Sequence, residues 1–325
     1  MVSDAQLPPI RRPIAFLYPP QPAEPCAMPR ELAEGSPALQ SLLTGLLGSL
    51  DWDAGMRRVA MDWPRLPRSK RSMQAAHAGT AAYSLAVTQR LEEAGITPDV
   101  VFGHSLGLHS ALAASGAAHM PDALEVVDRT ARFIAAPVAA LSGGMMAVTG
   151  FTPDEILAHC EQNNLADSVF VAIVNSHRQV VVSGLADSLK RFVRLMRGKQ
   201  VWNLTRLPGR LPLHSPLMTT AAEACYDLVE TEHCHVPHVT LLHPAAGETV
   251  STASGATTLW RTHLLNSIDF VRCMDVMKRL EISTYIEVGV GETLSRLVRW
   301  YDRRFRVVSL GTPGALERTL DAGLE

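Results

Sequence analysis

Gly103-His104-Ser105-Leu106-Gly107 sets a hydroxyl between two glycines. This G-x-S-x-G spacing is that of a nucleophile elbow, where a serine sits on a tight turn between a strand and a helix. Glycine is needed on both sides because the turn is strained and other backbone approaches closely. The flanks have the right character: DVVF (Asp99 to Phe102) reads as an apolar strand, and LHSALAASGA after the motif reads as a small-residue helix. At the start of that helix the Leu106 N–H would face an oxyanion developing on a carbonyl attacked by Ser105. The same pattern also fits a glycine-rich turn that merely buries a serine. A serine hydroxyl needs a base to take its proton. The chain has twelve histidines, so spacing alone selects none. One of them, His214, lies in Leu211-Pro212-Leu213-His214-Ser215-Pro216, where a histidine by itself is more often structural.

Other constellations carry less. His233-Cys234-His235-x-x-His238 invites a metal reading, but its spacing lacks the usual C-x2-C or H-x3-H geometry, and it reads as a surface loop or strand entry. No G-x-G-x-x-G or P-loop is present, so a nucleotide cofactor is not indicated. With 47% hydrophobic and 19% charged residues, the 325-residue chain can bury a sizeable core in one large domain or two unequal ones. A net charge of −2 argues against nucleic acid as a partner. No run reaches the roughly 18 apolar residues of a membrane span, and Met1 to Pro13 is too polar for a signal peptide. Five scattered cysteines point to a reducing cytoplasm rather than a disulfide frame.

The elements that must hold Ser105 are legible around it. IAFLY (Ile14 to Tyr18) predicts a buried first strand before a proline-rich turn. Ser36 to Leu50 predicts a helix, Arg57 to Arg71 an irregular proline-bearing stretch, and Gln74 to Ala94 an alanine-rich helix stopped by Gly95. From Met145 to Leu207 the order is strand, helix (Pro153 to Glu161), two strands (VFVAIVN and QVVVSG), helix (Ala186 to Arg197) and strand (VWNLTRL). This β-α-β-β-α-β order predicts a small ferredoxin-like subdomain over 144–208. It is inserted in a large α/β-hydrolase-like domain with a parallel sheet, formed by 1–143 and 209–325. The last part predicts a helix over Pro216 to Glu230, strands VTLLH, TYIEVG and RVVSLG, and helices Phe270 to Arg279 and Glu292 to Arg304.

Several of these segments together resemble the malonyl-CoA:carrier-protein transacylases and the acyltransferase domains of polyketide synthases. GHSLG is similar to their nucleophile motif, with Ser105 as nucleophile. LHSPLM is similar to the segment carrying their catalytic histidine, which implies His214 as base. YPPQPAE stands where the family has an FPGQGSQ-like loop, so the Gln21 N–H is implied in the oxyanion hole beside that of Leu106. Pro20 and Pro22 replace glycines there. NSHRQVVVSG, IEVGVGETL and NSIDF match further family segments, and the backbone of the last (Asn266 to Phe270) is implied to orient the histidine. His104, Asn175, Leu211 and Leu213 would line the substrate pocket. The match covers about residues 14 to 310 in consistent order.

One departure bears on the substrate. Malonyl-specific members carry an arginine 25 residues after the serine, paired two-pronged with the malonyl carboxylate; here that position is Thr130, followed by Ala131. On a helix Arg129 and Arg132 point about 100° and 200° away from it. A buried carboxylate without a cation is costly. The resemblance therefore implies a discrete member lacking the arginine, one that moves an uncarboxylated group, such as aminoacyl or dipeptidyl, between thioesters in polyketide or antibiotic biosynthesis. An editing acyl hydrolase, a malonyl transferase and a carrier-binding scaffold are the alternatives. The implied partners are acidic acyl carrier proteins bearing phosphopantetheine, with acyl-CoA as a possible donor and no cofactor of the enzyme's own. Arg206, Arg299 and Arg303, within two basic clusters, are candidate docking residues, against a reading as ordinary solvated faces.

Overall fold

The computed structural model describes residues 10–22, 28–62, 72–135, 142–199, 201–229 and 233–325. Its strands are β1 (Ile14–Tyr18), β2 (Val100–Gly103), β3 (Gly143–Thr149), β4 (Val169–Ser176), β5 (Gln179–Leu185), β6 (Asn203–Arg206), β7 (Thr240–Leu242), β8 (Thr249–Val250), β9 (Ile268–Asp269), β10 (Thr284–Glu287) and β11 (Arg306–Ser309). They form two sheets. The larger has the order β11-β10-β1-β2-β7-β8 and is parallel except for the β7–β8 edge pair.

β1 lies at the centre of that sheet and is buried along its whole length. Its side chains alternate between two cores. Ile14, Phe16 and Tyr18 pack into one layer of helices with Val101 and Ile286. Ala15 and Leu17 pack into the other with Phe102, Leu242 and Tyr285. An apolar residue at every position is what a strand covered on both faces requires. The long helix Met73–Glu93 fits under the first face because its residues are small. A Cβ on Gly79 would sit 2.1 Å from the Ala60 carbonyl oxygen, so only glycine lets the neighbouring helix approach. Ser72 caps its start through the Ala75 N–H, and Gly95 at φ 77 follows its end.

Between β3 and β6 the chain runs β3, helix Pro153–Gln162, β4, β5, helix Ala186–Arg197, β6. These strands pair antiparallel in the order β6-β3-β5-β4 over an apolar core that includes Val148, Ile156, Val182 and Phe192. β9, which comes from beyond this segment, adds in parallel at the β4 edge and joins the sheet to the rest of the molecule.

Two expectations are corrected. Arg57 to Asp62 is not irregular: it belongs to a helix, Ala54–Asp62, started by Asp53 accepting the Met56 N–H at 2.7 Å and buried at Ala60. The prolines that argued against a helix, Pro64 and Pro67, lie past its end, and 63–71 fall outside the described residues. The helix placed over Pro216 to Glu230 opens instead as a 3-10 turn, Pro216–Met218, and continues as Thr219–Tyr226; Glu230 is outside the described residues. Among the described residues no helix is long and apolar enough to cross a membrane, and Cys160, Cys234 and Cys273 are free.

Candidate active site

β1 and β2 end side by side, Tyr18 opposite Gly103. The chain then turns through Ser105 and enters the helix Gly107–Ala114. Ser105 adopts φ 53, a left-handed conformation that an L-residue holds only where its surroundings enforce it. The enforcement is close packing. A Cβ on Gly107 would lie 2.1 Å from the Tyr18 carbonyl oxygen, and one on Gly103 would lie 2.4 Å from the Leu108 Cα. Both glycines of the motif are therefore required by backbone contact.

His214 reaches the same point from a different part of the chain. Its loop is fixed on three sides: the His214 N–H donates to the Leu264 carbonyl at 2.8 Å, Ser183 Oγ donates to the Leu213 carbonyl, and Ser215 Oγ donates to that of Pro212 at 2.6 Å. His214 itself has φ 59. The side chain so held places Nε2 2.9 Å from Ser105 Oγ and Nδ1 2.9 Å from the Asn266 carbonyl oxygen. A carbonyl only accepts, so Nδ1 carries the proton and Nε2 presents its lone pair to the serine hydroxyl. His214 is 4% exposed. Burial pulls its pKa down to about 4 against the opposing pull of the Asn266 carbonyl, so the imidazole is neutral at pH 7. The group that orients it is a backbone dipole rather than a carboxylate.

Leu106 caps the helix, and among the described residues its N–H has no acceptor; the same holds for the Gln21 N–H, three residues past β1. The Gln21 side-chain oxygen accepts from Thr80 Oγ1 at 3.5 Å. His104 Nε2 meets Asn175 Oδ1 at 3.3 Å, and Asn175 in turn donates to Gln179. Burial holds His104 at about 4, so it too is neutral. Thr130 is buried, and among the described residues its hydroxyl has no hydrogen-bond partner. Arg129 and Arg132 turn outward to Glu125 and Asp128.

Leu211 and Leu213 pack against an apolar cluster of Ile134, Met218 and Leu264, and like His104, Thr130 and Asn175 they are not among the residues lining the pocket beside Ser105. That pocket is bounded instead by Leu108, Pro244, Leu259, His263, Asn266 and Ile268 with Ser105 and His214. Sequence reasoning missed His263. Its Nδ1 lies 2.7 Å from the Trp260 carbonyl, and Trp260 donates its indole N–H to His109 at 2.9 Å. Nothing in the spacing of twelve histidines distinguishes it. Arg206, Arg299 and Arg303 are all exposed, but Arg206 is on β6, while Arg299 belongs to the helix Thr293–Tyr301, which packs on β4. β6 and β4 are three strand spacings apart, about 14 Å, so the two basic clusters do not merge.

A serine on a strand-to-helix elbow, facing a neutral buried imidazole, is an arrangement for acyl chemistry through an ester intermediate. Residues 66–298 match the family model described as the acyl transferase domain, and the chain belongs to that family. The malonyl CoA-acyl carrier protein transacylase of Bacillus subtilis is 27% identical over 94% of this chain and 95% of its own length. Among solved structures, the malonyl CoA-acyl carrier protein transacylase of Coxiella burnetii superposes with a TM-score of 0.85 at 23% identity, covering 95% of this chain and 97% of that one. A complex of a type II polyketide-synthase acyl-carrier protein with its malonyl-transacylase gives 0.85 at 19% identity, with 95% and 99% covered. Both likenesses establish the mixed α/β fold with its parallel sheet. By family the chain is an acyltransferase.

Proposed function

We propose that this protein transfers an acyl group from a thioester to the phosphopantetheine thiol of an acyl carrier protein, through an ester on Ser105. The observation that carries the reading is the Ser105 Oγ–His214 Nε2 contact of 2.9 Å, with Nδ1 held on the Asn266 carbonyl. His214 Nε2 takes the hydroxyl proton as Oγ bonds to the thioester carbon. The Leu106 and Gln21 N–H groups receive the oxyanion. The C–S bond breaks and the thiol leaves with the proton returned by His214. The carrier's thiol then repeats the sequence in reverse, giving ping-pong kinetics. The enzyme needs no cofactor of its own, because the partner carries the phosphopantetheine. We place the reaction in fatty-acid or polyketide synthesis in the cytoplasm, and the exposed Arg206, Arg299 and Arg303 are offered to an acidic carrier.

Likeness favours malonyl as the group transferred, since the relatives carrying the named activity are malonyl transacylases. A second reading, an uncarboxylated group, is favoured by the chain's own residues. Thr130 stands where the carboxylate-pairing arginine is expected, and the pocket beside Ser105 has no arginine or lysine among its lining. The test is a panel of malonyl, acetyl, fatty acyl, aminoacyl and dipeptidyl thioesters, each with and without a second holo-carrier. Malonyl reaching the second carrier fastest supports the first reading, and an uncarboxylated group doing so supports the second. Free acid released in place of transfer would mark an editing hydrolase and sink the transferase reading.

A further inference from the structure

His119 and His235 are 116 positions apart in the chain and take no part in the Ser105 site. Backbone hydrogen bonds bring them together. The His235 N–H donates to the Ala117 carbonyl and the His238 N–H to the Ser115 carbonyl, each at 2.8 Å. The segment after the nucleophile helix thus runs beside the segment leading into β7. Gly116, at φ 76, permits the approach: a Cβ there would lie 1.9 Å from the His238 ring.

The result is two exposed imidazoles with Nε2 atoms 3.2 Å apart and ring centres 4.9 Å apart. A ring centre lies about 1.15 Å behind its nitrogen, so a proton shared head-on along the line between the nitrogens would set the centres about 5.5 Å apart. A metal ion about 2.05 Å from both nitrogens, along their lone pairs, would set them about 5.0 Å apart. At the observed 4.9 Å the two rings are tilted away from head-on, as two ligands sharing one ion require.

We propose that His119 and His235 form a binding site for a divalent transition-metal ion of the class that prefers imidazole, such as Zn2+, Ni2+ or Cu2+. Among the described residues no group of three histidine, cysteine or acidic side chains could hold an ion, so the two imidazoles are the ligands those residues supply. Each imidazole binds through the lone pair of its Nε2. The ion ties the end of the nucleophile helix's connection to the lead-in of β7, the strand beside β2. Spacing in HCHxxH hides this site, because its second ligand comes from a distant segment.

Zn2+ titration by calorimetry, on the full chain without an affinity tag, tests the proposal. The expected result is one ion per chain, with affinity reduced about ten-fold or more in both His119→Ala and His235→Ala and unchanged in His177→Ala. Ser105 acylation at the wild-type rate checks that each variant is folded. Cu2+ electron paramagnetic resonance of the unaltered protein should show coupling to two nitrogens. Wild-type affinity in both histidine variants, or a bound Cu2+ spectrum without nitrogen coupling, would overturn the assignment.

Discussion

Lowering the pH should unfold this protein above the range where ordinary carboxylates titrate. His104, His109, His214 and His263 are between 3% and 9% exposed. Burial holds the first, third and fourth at about 4 and His109 well below the usual value, with neighbouring imidazoles adding to the effect at His104, His109 and His263. In the unfolded chain each returns to about 6.5. A histidine depressed in the folded state contributes stability that is present above 6.5 and lost as pH falls toward 4. Glu287 opposes this. Burial pushes its carboxyl up to about 7, so folding gains from protonating it between pH 7 and the unfolded value. The three histidines held at about 4, set against Glu287, remove about 2 kcal/mol by pH 5.5 and about 5 kcal/mol by pH 4.5, and His109 acts in the same direction. A stability at the lower end of the typical range of about 5–15 kcal/mol would then be gone. Urea midpoints followed by tryptophan fluorescence from pH 7.5 to 4.5 measure the slope. His109→Gln, which retains an acceptor for the Trp260 indole, should make it shallower. A midpoint that is flat or rising from pH 6.5 to 4.5 refutes the reasoning.

Gly107→Ala puts a Cβ 2.1 Å from the Tyr18 carbonyl; neither partner is a flexible side chain, so a loss of about 2 kcal/mol or more is expected in thermal or urea unfolding. Asn175→Ala removes the partner of His104 Nε2 and should slow acylation by several-fold while leaving the Ser105–His214 pair intact, read by kcat and circular dichroism. Thr130→Arg places a cation where the threonine is buried, and malonyl should gain on acetyl by about ten-fold in kcat/KM. Arg299→Glu should raise KM for the carrier protein and leave acylation by small thioesters unchanged; an unchanged carrier KM would remove Arg299 from docking.

The sequence was most informative where one residue type answers one local demand. IAFLY could only be a strand covered on both faces, and it is buried throughout. GHSLG needed its glycines for backbone contact, and both make it. The helix Ala186–Arg197 carries the bounds its pattern predicts. Elsewhere the information was non-local. His214 could be singled out by resemblance but not by spacing, because its partners Leu264 and Asn266 follow some fifty residues later. His263, and the histidine pair His119–His235, depend on tertiary packing that leaves no periodic trace. The proline-bearing stretch that follows hid the short helix whose start Asp53 holds. Leu211 and Leu213 lie just before His214 in sequence, yet both pack into a core beside Met218.

The central claim is an acyl ester on Ser105 formed with His214 as base. Rapid quenching after mixing with an acyl thioester, followed by mass analysis of the proteolytic peptide that contains Ser105, tests it directly. The account predicts the added acyl mass on that peptide within one turnover, its absence in Ser105→Ala, and formation slowed by about a thousand-fold or more in His214→Ala. An acyl group found on another residue, or acylation continuing at the wild-type rate in Ser105→Ala, would contradict it.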